Sequence, residues 1–380
     1  MQNKTLRNMA KKHSTPLYLY DGDLIRARAK ELKEAFEIDL FYACKANTNV
    51  DIIKLIYKEG FGIETVSPGE INAAIKAGVP ISKITYTCGN IDEEELIYVA
   101  GKGIRVHLDS LRQVEMFGKN FPGRKISVRL NLNFGAGEHK HTTTGGKDSK
   151  FGIHINKIGE LKKIAKKYNL KINGLHQHVG SNILDVNTFM KGADALFETA
   201  LKFPDLEHLD FGGGLGVPYR PGDKKLDLKK LGRVFAKKSD KFAKKYGKVL
   251  KMSIEPGRFL VAEAGDLLMR VNDVKNNPSK TFVGINSGIN HLIRPAMYGS
   301  YHEIINLDNR NGKKEKVDVV GNICESGDFF AKDRMMPKTR VGDLLAVKNV
   351  GAYGYVMSSD YNSRPKPKEF LILNGKSRLI

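Results

Sequence analysis

Cysteine is scarce in this chain: Cys44, Cys88 and Cys324 are the only three among 380 residues. They are odd in number and stand in no CxxC or Cys/His spacing. That excludes a disulfide framework and a structural zinc site as organising features, and leaves room for a reactive thiol. Long apolar runs are also missing. None approaches the roughly 18 to 20 residues that span a bilayer, and Met1 to Lys12 is polar and basic with no apolar stretch of signal type. Neither a membrane association nor a secretory signal is expected, and a cytoplasmic location is. HExxH, DxDxDG and GxSxG patterns are absent, so no metal site or serine-hydrolase chemistry is expected. Acidic residues are few beside basic ones, 42 against 63, for a formal charge of +21. The lysines are spread along helical segments (162–171 and 224–251) rather than set beside an aromatic-bearing RNA or DNA motif. Solvated helix faces and steering of anionic ligands are expected, and specific nucleic-acid binding is not.

What is present is an ordinary soluble composition, 41% hydrophobic and 28% charged, in a chain longer than one usual domain. From residue 40 onward short β-type runs alternate with helical segments. The runs are LFYACK (40–45), GIETV (62–66), ITYTC (84–88), RVHL (105–108), ISVRLN (126–131), INGLHQHV (172–179), HLDFGG (208–213) and MSIEPG (252–257). Amphipathic helices fall between them, such as 50–60, where Ile52, Ile53, Leu55 and Ile56 share one face. Eight such repeats predict a (β/α)8 barrel of TIM type, with a doubly wound sheet as the alternative. After about residue 265 strand-like runs continue without regular helices, which predicts a C-terminal β domain. PLYLYD (16–21) is strand-like too and is expected to join it. The domains expected are therefore residues 1–24 as an N-terminal strand belonging to the β domain, 25–265 as the barrel and 266–380 as the β domain. The polar, glycine-rich stretch 135–149 has the composition of a mobile active-site loop.

Barrel active sites lie at the C-terminal ends of the strands. Lys45 ends the first run in FYACKAN. Partial desolvation there lowers a lysine's pKa and makes it a nucleophile for an aldehyde cofactor, the alternative being a snorkelling surface lysine. The sixth run ends in HQHVGSN, with His176, His178 and Ser181. The seventh ends in DFGGGLG, where Gly212, Gly213 and Gly214 let backbone N–H groups approach a phosphate, although tight turns use glycine as well. The eighth ends in EPGR. Glu255 there is an anion suited to a pyridine nitrogen, and Arg258 a fork for carboxylate or phosphate; a plain Glu255–Arg258 ion pair is the alternative.

Taken together, PLYLYD, FYACKAN, SPGE, SKFGI, HQHVGS, GGGLG, EPGR, RPAMYG, CESGD, GAYG and YNSRP resemble, in order and over nearly the whole chain, the fold-type III pyridoxal 5′-phosphate (PLP) decarboxylases, and among them the diaminopimelate decarboxylases. The resemblance implies an alanine-racemase-like barrel with a C-terminal β domain, PLP as cofactor, and a homodimer with sites shared between subunits. It implies that Lys45 is the Schiff-base lysine, that His178 stacks on the cofactor ring and that Glu255 partners the pyridinium. Ser181, Gly213, Gly214, Gly257 and Arg258 would serve the cofactor side, with Tyr353 of GAYG toward both phosphate and substrate. Arg258, Arg294 and Tyr298 would hold the substrate's remote carboxylate. Cys324 and Glu325 would come from the partner subunit, the thiol as proton donor and the carboxylate near the distal amine. The implied reaction is decarboxylation of meso-2,6-diaminopimelate to L-lysine and CO2. Ornithine, lysine, arginine or a carboxylated polyamine such as carboxynorspermidine are alternative substrates, and an amino-acid racemase or a non-catalytic homologue are alternatives of other kinds. Two departures stand out: Glu64 and Pro68 occupy positions where the family more often has Asp and Gly, and the loop HKHTTTGGKDSKFGI is longer than the family's.

Overall fold

The computed structural model describes residues 1–137, 146 and 149–380. The chain forms two compact units, one of Arg28–Val217 with Lys224–Phe259, the other of Met1–Ala27, Pro218–Asp223 and Leu260–Ile380. Strand β1 (Leu17–Asp21) belongs to the latter. The former holds β2 (Asp39–Ala43), β3 (Gly62–Thr65), β4 (Ile84–Tyr86), β5 (Arg105–Leu108), β6 (Lys125–Asn131), β7 (Lys171–His176), β8 (His208–Asp210) and β9 (Lys251–Ile254). Each of these pairs in parallel with the next in sequence, and β9 returns to β2 through Ser253↔Asp39 and Ile254↔Leu40. The sheet is thus a closed eight-stranded parallel barrel, not an open doubly wound sheet.

The helices between the strands start where the sequence supplies caps. Asn49, Ser67, Asp92, Ser110, Asp185 and Asp227 each accept a first-turn backbone N–H, satisfying donors that a helix start otherwise leaves orphaned. The helix Val50–Lys58 buries Ile52, Ile53, Leu55 and Ile56, each worth roughly 1.5 to 3 kcal/mol when fully removed from water. The helix Leu228–Tyr246 runs so close to the carbonyl of Ala35 that a Cβ at Gly232 would stand 1.9 Å from it.

The other unit is a mixed sheet. Its remaining strands are β10 (Gly265–Asn276), β11 (Thr281–Ile285), β12 (Ile304–Asn306), β13 (Lys314–Val320), β14 (Phe329–Pro337), β15 (Leu344–Val347), β16 (Lys368–Leu373) and β17 (Lys376–Leu379). The order is β14-β13-β11-β10-β1-β16-β17, with β15 pairing both β10 and β12. β1 lies between β10 (antiparallel, Leu17↔Leu268) and β16 (parallel, Leu17↔Lys368). Leu6, Met9 and Ala10 of the helix Asn3–Lys12 pack with Leu17, Leu19, Leu268, Leu344 and Phe370 in this unit's core. Among the described residues no helix is long and apolar enough to cross a membrane.

Candidate active site

Hydrogen bonds bind the C-terminal ends of the barrel strands together. Ala43 N–H donates to Pro256 O, Gln177 N–H to Asp210 O and Glu255 N–H to Gly212 O. At this end the barrel gathers Lys45, His178, Ser181, Gly213, Gly214, Glu255, Gly257 and Arg258. Lys45 stands not in β2 but in the 3-10 turn Cys44–Ala46 that follows it. Its Nζ lies 3.4 Å from Glu64 Oε2, and its side chain is 38% exposed while that of Glu64 is 1% exposed. A long glutamate at this position therefore reaches and orients the amine from the floor of the mouth. Cys44, the residue preceding Lys45, donates from its thiol to Glu70 Oε2. Burial and the Glu70 and Glu64 carboxyls push that thiol well up, so it is inert as a nucleophile.

The glycine run works by subtraction. Side chains on it would strike backbone, since a Cβ at Gly212 would be 2.2 Å from Gln177 O, one at Gly213 2.3 Å from Glu255 O and one at Gly214 2.7 Å from Gly180 O. Gly212 and Gly214 also take positive φ, which glycine adopts without strain. Gly213 N–H donates to His178 Nδ1 at 3.1 Å, which fixes that ring's orientation. Arg258 Nη2 donates to Ser181 Oγ at 2.7 Å, while Glu255 Oε2 lies 3.1 Å from His176 Nε2. A polar cradle results, with a guanidinium and a hydroxyl beside close-packed backbone.

The barrel interior beneath this mouth carries polar groups that strand periodicity did not single out: His107, Asp109, Ser127, Arg129 and Asp210, all buried. Arg129 meets Asp109 at 3.5 Å and lies over the Phe151 ring. His107 Nδ1 is 2.7 Å from Ser127 Oγ, and its ring centroid 4.6 Å from that of His176. Burial, reinforced by neighbouring positive groups, lowers the pKa of His107, His176 and His178 well below the usual range, so all three are neutral imidazoles. Burial, with the Asp210 and Glu64 carboxyls added, pushes Glu255 well up.

Whether this end of the barrel suits an aromatic phosphate cofactor is decided by Glu255. Its Oε1 is buried and has no hydrogen-bond partner among the described residues. A buried acceptor without a donor is costly, and a protonated ring nitrogen supplies the missing donor. Together with the glycine cradle and an accessible lysine amine, that acceptor fits a pyridoxal phosphate.

The remaining candidates lie in the β unit. Arg294 begins the short helix Arg294–Tyr298 and is buried. Its Nε donates to His302 Nε2 and its Nη2 to Ser300 Oγ, and its guanidinium lies over the Tyr219 ring. Tyr298 is half-buried at the end of that helix, and Tyr353 adopts φ +56°, a region that costs a bulky side chain. Cys324 and Glu325 are exposed. The turn bearing them is shaped by Asp328, whose carboxylate accepts from the backbone N–H groups of Ile289 and Ile323, and Cys324 N–H donates to Asn362 Oδ1. Of the loop 135–149, residues 138–145 and 147–148 lie outside the described residues.

Residues 22–262 match the family described as pyridoxal-dependent decarboxylase, pyridoxal binding domain, which is the class that a lysine-bearing barrel of this kind defines. A diaminopimelate decarboxylase of Methanothermobacter thermautotrophicus is 41% identical over 98% of this chain and 90% of its own length. A crystal structure of diaminopimelate decarboxylase superposes with a TM-score of 0.93 at 34% identity, covering 100% of this chain and 93% of that one. The Helicobacter pylori diaminopimelate decarboxylase complexed with L-lysine gives a TM-score of 0.89 at 32% identity over 98% of this chain and 95% of its own. The chain belongs to the diaminopimelate decarboxylase family.

Proposed function

We propose that this chain decarboxylates meso-2,6-diaminopimelate to L-lysine and CO2 with PLP as cofactor. The observation that carries this is the buried, unpartnered Oε1 of Glu255 at the same barrel mouth as the accessible amine of Lys45, in a chain alignable almost end to end with diaminopimelate decarboxylases. Bound PLP supplies an electron sink for the pair left when the carboxylate departs. Lys45 would bind the cofactor aldehyde, with Glu64 orienting its amine, and His178 would face the ring. Ser181, Gly213, Gly214 and Gly257 hold the phosphate with Tyr353 and Arg258. Glu255 holds the proton at the ring nitrogen. Cys324 delivers a proton to the carbon that has lost CO2, and Glu325 accepts from the distal ammonium, both from the partner subunit of a homodimer. A cytoplasmic enzyme suits an exposed catalytic thiol that must stay reduced.

Arg258 and Arg294 with Tyr298 are assigned to the substrate's remote carboxylate. Both arginines are buried, and lysine or ornithine, which lack that carboxylate, would leave them without it at a cost of roughly 2 to 5 kcal/mol. Diaminopimelate should be converted at least about tenfold more efficiently than either; Arg294→Ala should erode mainly that preference, while Arg258→Ala should erode it and weaken cofactor binding as well. A product assay over a panel of basic amino acids tests it, and comparable kcat/KM values for ornithine and diaminopimelate would leave only a PLP decarboxylase of undefined substrate.

Shared sites have their own test. Inactive Lys45→Ala chains mixed with inactive Cys324→Ala chains should recover part of the activity, because one site of the heterodimer regains both groups. No recovery after demonstrated subunit exchange would place both groups in one chain.

A further inference from the structure

Glu255 is not alone in the barrel interior. One side-chain atom from each of His107, Asp210 and Glu255 lies within 4.8 Å of the other two. All three are at least nine-tenths buried, as is His176. Asp210 is held by two donors, Gly212 N–H to Oδ1 at 2.8 Å and Ser253 Oγ to Oδ2 at 2.6 Å. Glu255 Oε2 lies 3.1 Å from His176 Nε2, and among the described residues its other oxygen has no hydrogen-bond partner, nor do His107 Nε2 and His176 Nδ1. Two carboxyls this close in a medium of low polarity cannot both be ionised cheaply. The donors around Asp210 favour its charged form. A neutral His176 can accept from a protonated Glu255.

We propose that Asp210 and Glu255 share one proton in the cofactor-free barrel, held mainly on Glu255, and that Asp210 is thereby a positioning residue that loads the proton the pyridine nitrogen will carry. Resting on the cofactor assignment above, the transfer balances within the site: the O–H bond at Glu255 breaks, an N–H bond forms, and the carboxylate left behind pairs with the pyridinium. No outside acid is consumed. The groups facing Glu255 are Asp210 on β8, Glu64 on β3, His107 on β5, His176 on β7, Arg129 on β6 and Lys45 after β2. The two acids raise its hold on the proton, Arg129 and Lys45 oppose them, and burial decides in favour of the acid form. Asp210 itself is pushed up to about 6 by burial, against the pull of Ser253 and Gly212.

The test reads the apo-protein by infrared spectroscopy in the carboxylic-acid C=O region as a function of pH. The wild type should show a buried protonated carboxyl at neutral pH that is missing in Glu255→Gln. Asp210→Asn should lower the midpoint pH of that band by roughly one to two units. Ser253→Ala, which removes only a hydroxyl, should raise it, because Asp210 then loses a donor that stabilises its charge. Adding PLP to the wild type should abolish the band. No band in the wild type, a midpoint unmoved in both folded variants, or a band that persists in the PLP-loaded enzyme would each overturn the shared proton. A band with the expected variant shifts in a protein that takes up no PLP would uphold the shared proton and refute the cofactor assignment.

Discussion

Lys45→Ala should reduce turnover by about 10⁴-fold or more and remove the pyridoxyl group that borohydride fixes to the wild-type chain. The amine is the only part of Lys45 that can condense with an aldehyde, and it stands beside Glu64 at 3.4 Å on a turn that two barrel strands hold in place. Loss of that amine also leaves Glu64, buried to 1% exposure, without its cation, so the alanine variant should melt earlier. Lys45→Arg separates the two effects. It restores a positive charge beside Glu64 and should recover the melting temperature, yet it should stay inactive because a guanidinium does not form the link. Peptide mapping of the reduced wild type settles the assignment, and a pyridoxyl group found on another lysine would reject it.

Glu255→Gln should cost about 10²- to 10³-fold in kcat, the scale of losing one preorganised electrostatic partner in a buried site. A neutral amide still fills the space but no longer keeps the ring nitrogen protonated, so the electron sink weakens while substrate affinity stays near its former value. The same substitution should change stability in a pH-dependent way. In the unfolded chain Glu255 ionises near its ordinary value of 4.5, whereas in the fold burial beside Asp210 and Glu64 keeps it protonated to much higher pH. Between those two values the folded state holds a proton that the unfolded state has released, so this group's contribution to stability falls as pH rises. Glutamine is neutral throughout. The apo variant should therefore match the wild type near pH 4 and exceed it increasingly at higher pH. Equal melting temperatures at pH 8 would mean that Glu255 is already ionised in the folded apo-protein.

The strand-and-helix alternation from residue 40 to 257 was legible because each barrel strand is a short apolar run and each helix begins at a cap such as Ser67 or Asp92. β14 is not legible in the sequence, because FFAKDRMMP is broken by Lys332, Asp333 and Arg334, and its pairing with β13 contains register shifts. The helix Asn3–Lys12 was hidden for a related reason, having only Leu6, Met9 and Ala10 on its buried face. At the barrel mouth, residues in strand-end motifs such as EPGR and HQHVGS could be picked out, since position alone marks them. His107, Ser127 and Arg129 could not. A polar residue inside RVHL or ISVRLN reads as the solvent side of a strand, and only closure of the barrel turns that side inward. Glu64 was visible as a departure from the family pattern, but its reach to Lys45 depends on β2 and β3 pairing Ala43 with Glu64.

The placement of β1 bears on how the molecule is made. LYLYD leaves the ribosome first among the strands, yet its hydrogen-bonding partners are residues 265–268 and 368–372. At about 5 to 20 residues per second, its first partner arrives roughly 12 to 50 s later and its second after that. Until then an apolar segment with two unpaired edges waits in the nascent chain, a ready template for wrong pairings. Because residues 17–21 pair with residues 265–268 and 368–372, this sheet cannot be completed until nearly all of its strands have been made. An N-terminal truncation past Asp21 would remove the middle of that sheet and leave β10 and β16 as facing edges.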